Sequence, residues 1–187
     1  MISMAQECDR NDLIDLWREA FAEEPYAVYF YSIVPFQDII VWRENGHPVS
    51  MLHMLPCSFR KGERMYQGVY LYALATLKMH RGHGMMGKLI YAAKERAVKS
   101  DCDFLCLAAA TPSLCAYYET FGFGRTDGNG ECAILEFLPH IQKYVQWERM
   151  QEKKTENTSE KEDFMENQMV CCLKEIPFCR FLGEIPY

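Results

Sequence analysis

Between Thr76 and Lys88 (TLKMHRGHGMMGK) an apolar run stops and becomes a glycine-punctuated turn that opens a helix, and few chains can accommodate that transition except as a strand-loop-helix unit. Gly82, Gly84 and Gly87 allow the backbone to turn tightly and to come close to a ligand. The first N–H groups of the helix that follows have no acceptor inside it, so they point at whatever negative group lies there. A phosphate is the natural occupant. The run before the loop, Val69 to Leu77 (VYLYALATL), is uncharged and predicts a strand buried on both faces. The run after it predicts a helix with Met86, Leu89, Ile90, Ala93 and Ala97 on its apolar face.

Two phosphate loops compete for these letters. Gly82-x-x-x-x-Gly87-Lys88 is one residue short of the nucleoside-triphosphate loop, which requires Ser or Thr next; Leu89 stands there, so the first magnesium ligand is missing. The segment Arg81-Gly82-His83-Gly84-Met85-Met86 instead resembles the pyrophosphate loop of the GNAT superfamily of acetyl-CoA-dependent N-acetyltransferases, Arg/Gln-x-x-Gly-x-Gly/Ala. It departs from that pattern at Met86, whose side chain is expected to turn into the helix–sheet core. A bare strand-to-helix turn is the plainer alternative.

A second segment carries the same resemblance. Asp103 to Ala110 (DFLCLAAA) predicts another buried strand, and after Thr111 and Pro112 comes a short helix stopped at Gly122. The order Tyr118-x-x-x-Gly122-Phe123 matches the family's Tyr-x-x-x-Gly-Phe signature, with Ser113 where Asn is usual. Upstream, Asp9 is expected to cap a helix with Leu13, Leu16, Trp17, Ala20 and Phe21 on its apolar face. Pro25 begins a second, aromatic helix ending near Pro35. Asp38 to Arg43 and Val49 to Phe59 then form a hairpin around Asn45-Gly46, with a further turn at Lys61-Gly62-Glu63.

The resemblance therefore implies an α/β (α+β) fold of the GNAT kind, a mixed, mostly antiparallel central sheet flanked by helices. Residues 1–187 are expected to form a single such domain.

The resemblance also implies a function, transfer of an acetyl group from acetyl-CoA directly to a primary amine. In that reading Leu74, Ala75 and Thr76 hold the pantetheine through their backbone, Arg81, Gly82, His83, Gly84, Met85, Met86 and Gly87 hold the pyrophosphate, Ser113 is a further coenzyme contact, and Tyr118 protonates the departing thiolate. Tyr118 as a packing aromatic like Tyr117 is the structural alternative. No carboxylate stands between Tyr66 and Thr76 to act as base. His53, a water relay along Tyr70 and Tyr72, and the C-terminal carboxylate of Tyr187 are the candidates. Tyr26, Tyr29, Phe30, Tyr31, Tyr70 and Tyr72 line an apolar acceptor pocket or form core. The acceptor, small molecule or peptide, is not legible, and a homodimer stays open. A non-catalytic acyl-CoA-binding sensor or interaction module is the alternative to an enzyme.

Composition excludes other classes. With 20 Lys and Arg against 26 Asp and Glu, the net charge of −6 argues against nucleic acid as a partner. No apolar run approaches the ~18 residues of a membrane span and no signal peptide opens the chain, so a cytoplasmic protein without membrane association is expected. Nine cysteines without a Cys-x-x-Cys pair read as reduced thiols, with Cys171 and Cys172 on opposite faces of a strand spanning Gln168 to Lys174, a vicinal redox pair being the alternative. His80 and His83 lack a third ligand, so no metal is expected. Glu148 to Glu166, with seven acidic and four basic side chains, is predicted to be an exposed helix end and mobile linker.

Overall fold

The computed structural model describes residues 1–22, 24–125, 135–152 and 168–174, and divides the chain into two compact units, Met1–Leu55 with Leu71–Glu95, and Pro56–Tyr70 with Arg96–Tyr187. Cys132, Cys179, Tyr187 and the charged stretch 153–166 lie outside the described residues. The class is mixed α/β, and among the strand pairs with a stated register only β4 with β5 is parallel.

In the first unit, strand β1 (Ile2–Met4) runs antiparallel to β2 (Ile39–Glu44), which forms a hairpin with the first part of β3 (His47–Lys61), a strand that contributes to both units. The hairpin turn needs two residues at positive φ, and Asn45 (φ 50°) and Gly46 (φ 88°) supply them, as the sequence predicts. Helix α1 (Arg10–Phe21) buries Leu13, Leu16 and Trp17; Phe21, expected on that face, is 38% exposed because the buried stripe is narrower. Asp9 does not cap α1 with its side chain. It is buried in a bidentate pair with Arg43, Oδ1 to Nη1 at 2.6 Å and Oδ2 to Nη2 at 2.5 Å, and the Arg43 hydrogen bond holds its carboxyl below the usual range. Helix α2 (Glu24–Ile33) buries Ala27, Phe30 and Tyr31.

Strand β4 (Arg64–Thr76) contributes to both units and is followed by helix α3 (Met85–Lys99). The expectation of burial on both faces holds from Val69 to Leu71 and fails beyond, where Tyr72, Ala73, Leu74 and Thr76 are half-exposed. On α3 the buried positions are Met85, Leu89, Ile90, Ala93 and Ala97. Met85, not Met86, leads that face, since four-residue spacing from Leu89 selects it; Met86 is half-exposed.

In the second unit β5 (Phe104–Ala108) pairs parallel with β4 in the register Gly68 to Phe104, a pairing that demands a long crossover, here α3. Strand β8 (Gln168–Cys172) lies antiparallel to β5 and carries β6 (Gly124–Arg125) on its other side, while β7 (Glu136–Phe137) pairs with β3. Cys171 is buried and Cys172 exposed, the alternation expected. Phe104 packs face-on where Gly68 has no side chain, since a Cβ there would stand 2.3 Å from the ring. Helix α4 (Pro112–Glu119) is capped by Thr111, whose hydroxyl accepts from Leu114 N. Helix α5 (Pro139–Glu152) buries Ile141, Tyr144 and Glu148, and the Tyr144 hydroxyl donates to Glu148 Oε1 at 3.0 Å. Glu148 was expected in the exposed segment. It is core, because it continues the four-residue stripe of α5.

Candidate functional site

The loop after β4 is built to present backbone. A single turn of 3-10 helix (Lys78–His80) follows Leu77, with its Lys78 N–H held by Glu19 Oε1 at 2.5 Å. The chain then passes through Gly82 (φ 81°) and Gly84 (φ 71°), conformations that side chains rarely adopt. A Cβ at either position would meet nothing within 4 Å, so packing does not require glycine there; the left-handed backbone does. The first bond of the helix runs from Lys88 N to Gly84 O at 3.2 Å, which leaves the N–H groups of Met85, Met86 and Gly87 without acceptors in the helix. Arg81 to Gly84 are exposed. Arg81 Nε donates to Thr76 O at 2.9 Å, anchoring the guanidinium at the end of β4 and leaving its outer nitrogens toward solvent. Lys88 Nζ lies 4.8 Å over the Trp42 ring. Neither histidine of the loop belongs to a metal cluster among the described residues: His80 Nδ1 pairs with Glu44 at 3.0 Å, and His83 Nδ1 lies 3.3 Å from His80 O.

The end of β4 is held from the neighbouring strand. Ser50, fully buried, donates to Ala75 O at 3.1 Å and lies 2.7 Å from the Thr76 hydroxyl. Just before it, Ala73 has φ 45°, a left-handed residue inside a strand. Nothing in Ala-Leu-Ala announces this, and sequence reasoning missed it. Leu74, Ala75 and Thr76 therefore follow a break in the strand, and they share the first unit with the whole loop Arg81–Gly87.

His53, a candidate base, is fully buried in that unit. Its Nδ1 lies 3.0 Å from Tyr72 O and its Nε2 3.0 Å from the Tyr31 hydroxyl. Burial lowers its pKa to about 4. A neutral imidazole with both nitrogens engaged and no solvent access is not placed to take a proton from a substrate. Tyr70, part of the suggested relay, is 5% exposed and packs against Phe137 in the second unit. Of the suggested pocket aromatics, Phe30 and Tyr31 are core, around Trp17, while Tyr26, Tyr29 and Tyr72 are half-buried.

In the second unit, Tyr118 on α4 is 7% exposed, its ring edge-on to Tyr117 and Phe123 at 5.4 and 6.2 Å. Burial raises its pKa to about 12. Its hydroxyl has no hydrogen-bond partner among the described residues. Gly122 (φ 83°) ends the helix, and Phe123 N bonds back to Tyr118 O at 3.4 Å. The Tyr-x-x-x-Gly-Phe pattern is thus also a helix stop, with the aromatic pair sealing the left-handed glycine. Ser113 is exposed and its hydroxyl lies 2.9 Å from that of Thr111, so it serves the cap of α4.

Among the described residues no helix is long and apolar enough to cross a membrane. The seven described cysteines are free.

Comparison with known proteins agrees with this architecture. The family described as acetyltransferase (GNAT) domain matches residues 1–126. No curated protein matches the chain. Among solved structures, a GCN5-related N-acetyltransferase from Kribbella flavida is similar at 15% identity and TM-score 0.58, over 67% of this chain and 33% of its own. A GNAT family acetyltransferase from Brucella melitensis in complex with acetyl-CoA is 14% identical with TM-score 0.57, over 75% of this chain and 97% of its own. A Mycobacterium tuberculosis protein in complex with CoA and NLQ is 12% identical with TM-score 0.59, over 92% and 99%. The chain spans about a third of the length of several larger structures that it matches.

Proposed function

The chain belongs to the GNAT acetyltransferase domain family, and on that footing we propose that it transfers an acetyl group from acetyl-CoA directly to a primary amine. The observation that carries the reading is the loop at Gly82 and Gly84, whose left-handed glycines open α3 with three unspent N–H groups. Pyrophosphate is the ligand that such a loop recognises, with Arg81 beside it. Backbone groups of Leu74, Ala75 and Thr76 hold the pantetheine arm, and an N–H after the break at Ala73 receives the thioester oxygen as negative charge develops.

In the reaction the amine nitrogen forms a bond to the acetyl carbon, the C–S bond breaks, and the electron pair leaves on sulfur. Tyr118 is proposed to supply the proton. Its pKa of about 12 keeps the phenol protonated at neutral pH, as an acid must be. A phenol that weak protonates a thiolate only where the thiolate has also lost its water, and desolvation strengthens both as bases. Cys115, one turn before Tyr118, is fully buried, which supports direct transfer over a cysteine-bound acyl intermediate. The amine's proton leaves to water or to a group outside the described residues.

The test incubates the chain with acetyl-CoA and a panel of primary amines, following free thiol release and the mass of each amine. The proposal expects amine-dependent thiol release with a product heavier by one acetyl group. The half-exposed Met86 and the complete burial of His53, a candidate base, favour one rival, an acyl-CoA-binding module without turnover. Binding without thiol release across the panel would decide for it.

A further inference from the structure

Ala73 needs an explanation. A non-glycine residue at φ 45° is strained and persists only where its surroundings fix it. The carbonyl just before it, of Tyr72, lies 3.0 Å from His53 Nδ1. A carbonyl oxygen has only lone pairs, so His53 must carry its proton on Nδ1 and donate it there. Nε2 is then an acceptor, and the Tyr31 hydroxyl, 3.0 Å away, fills it. Both polar atoms of the ring are spent on orienting it. Phe30 and Trp17 pack edge-on against the imidazole at 5.0 and 5.8 Å, so it cannot turn without losing both bonds and this packing. A rigid chain of contacts runs from α2 through β3 to the backbone of β4, all within the first unit.

We infer that His53 is a positioning residue for acyl transfer: held by Tyr31, it fixes the Tyr72 carbonyl and hence the left-handed step at Ala73, so that the N–H groups beyond it are aimed at the thioester oxygen. This rests on the coenzyme reading proposed above. His53 touches no substrate. Its removal leaves the glycine loop, and therefore most coenzyme affinity, in place.

The experiment compares the parent chain with His53→Leu, His53→Asn and Tyr31→Phe, using acetyl-CoA labelled with carbon-13 at the acetyl carbonyl. Calorimetry gives Kd, infrared difference spectra give the carbonyl stretch of the bound thioester, and thiol release gives kcat for transfer or for hydrolysis. In the parent the stretch falls below that of free acetyl-CoA. His53→Leu is expected to bind within about threefold of the parent, to return the stretch toward the free value, and to lose tenfold or more in kcat. His53→Asn, whose side-chain amide N–H can stand where Nδ1–H stood, restores most of both; Tyr31→Phe falls between. If the leucine variant does not fold, the asparagine and phenylalanine variants carry the comparison. A folded His53→Leu or Tyr31→Phe with the parent's stretch and kcat overturns the inference and leaves the coenzyme reading standing. Equal losses in the Leu and Asn variants, tracking their melting temperatures, also overturn it. A parent that does not bind acetyl-CoA overturns the coenzyme reading, and the inference with it.

Discussion

Tyr118 and His53 were both named from the sequence as candidates for proton transfer, and the structure separates them. His53 titrates near 4 with both nitrogens engaged, whereas Tyr118 keeps a hydroxyl without a partner among the described residues. Tyr118→Phe removes only that hydroxyl. If the phenol is the acid, kcat should fall by ~10²–10⁴-fold with acetyl-CoA affinity little changed; an unchanged kcat where chemistry limits turnover returns Tyr118 to the helix-stopping role. For His53 the expectation concerns stability. Its folded pKa of about 4 lies below the ordinary 6.5, so the unfolded chain takes up a proton that the folded chain refuses. Stability is then complete above about pH 6.5 and declines as pH falls toward 4, by up to about 3 kcal/mol. Denaturant titrations at pH 7.5 and 4.5 should show this loss in the parent and not in His53→Asn; equal losses in both would mean that the imidazole is not neutral and buried. Neither tautomer nor burial can be read from a lone His in an apolar run, which is why both uses stayed open.

The elements with strong periodicity were legible. Helix α3, the hairpin at Asn45-Gly46 and strands β4 and β5 lie where patterning and turn chemistry put them, because each has enough residues for a repeat to show. Strands β1, β6 and β7, of two or three residues, carry no repeat and were missed. The loop glycines were legible as a turn; the break at Ala73 was not, since alanine fits a regular strand and the hydrogen bond that accompanies the break comes from His53, twenty residues away in sequence. Gly68 is the reverse case, a strand glycine with no turn to make. Phe104 occupies the space above it, so Gly68→Ala must move a buried ring and is expected to destabilise by about 1–3 kcal/mol. A variant as stable as the parent in denaturant would show that the ring yields freely.

For the molecule as a whole, composition put the edge of the charged stretch at Glu148, and the structure places that residue in the core. Glu148 counts as a charge in the sequence, yet it is 8% exposed on the buried side of α5 and bonded to Tyr144. A deletion beginning at Glu148 should therefore lower the melting temperature by several degrees, while one confined to 153–166, bridged by a short Gly/Ser linker, should leave acetyl-CoA affinity unchanged. Equal melting temperatures for the two deletions would contradict the placement of Glu148 in the core. The family assignment and the proposed chemistry meet at the glycine loop, and one measurement addresses it directly: calorimetric titration of acetyl-CoA into the parent chain and into Gly84→Asp. A Cβ at Gly84 meets no protein atom within 4 Å, so the substitution spares the packing and acts where a pyrophosphate would approach, adding bulk and negative charge at a positive φ that Asp tolerates better than most. The parent should bind and the folded variant should not; equal affinity in the two would place the coenzyme elsewhere and remove the basis of the proposed mechanism.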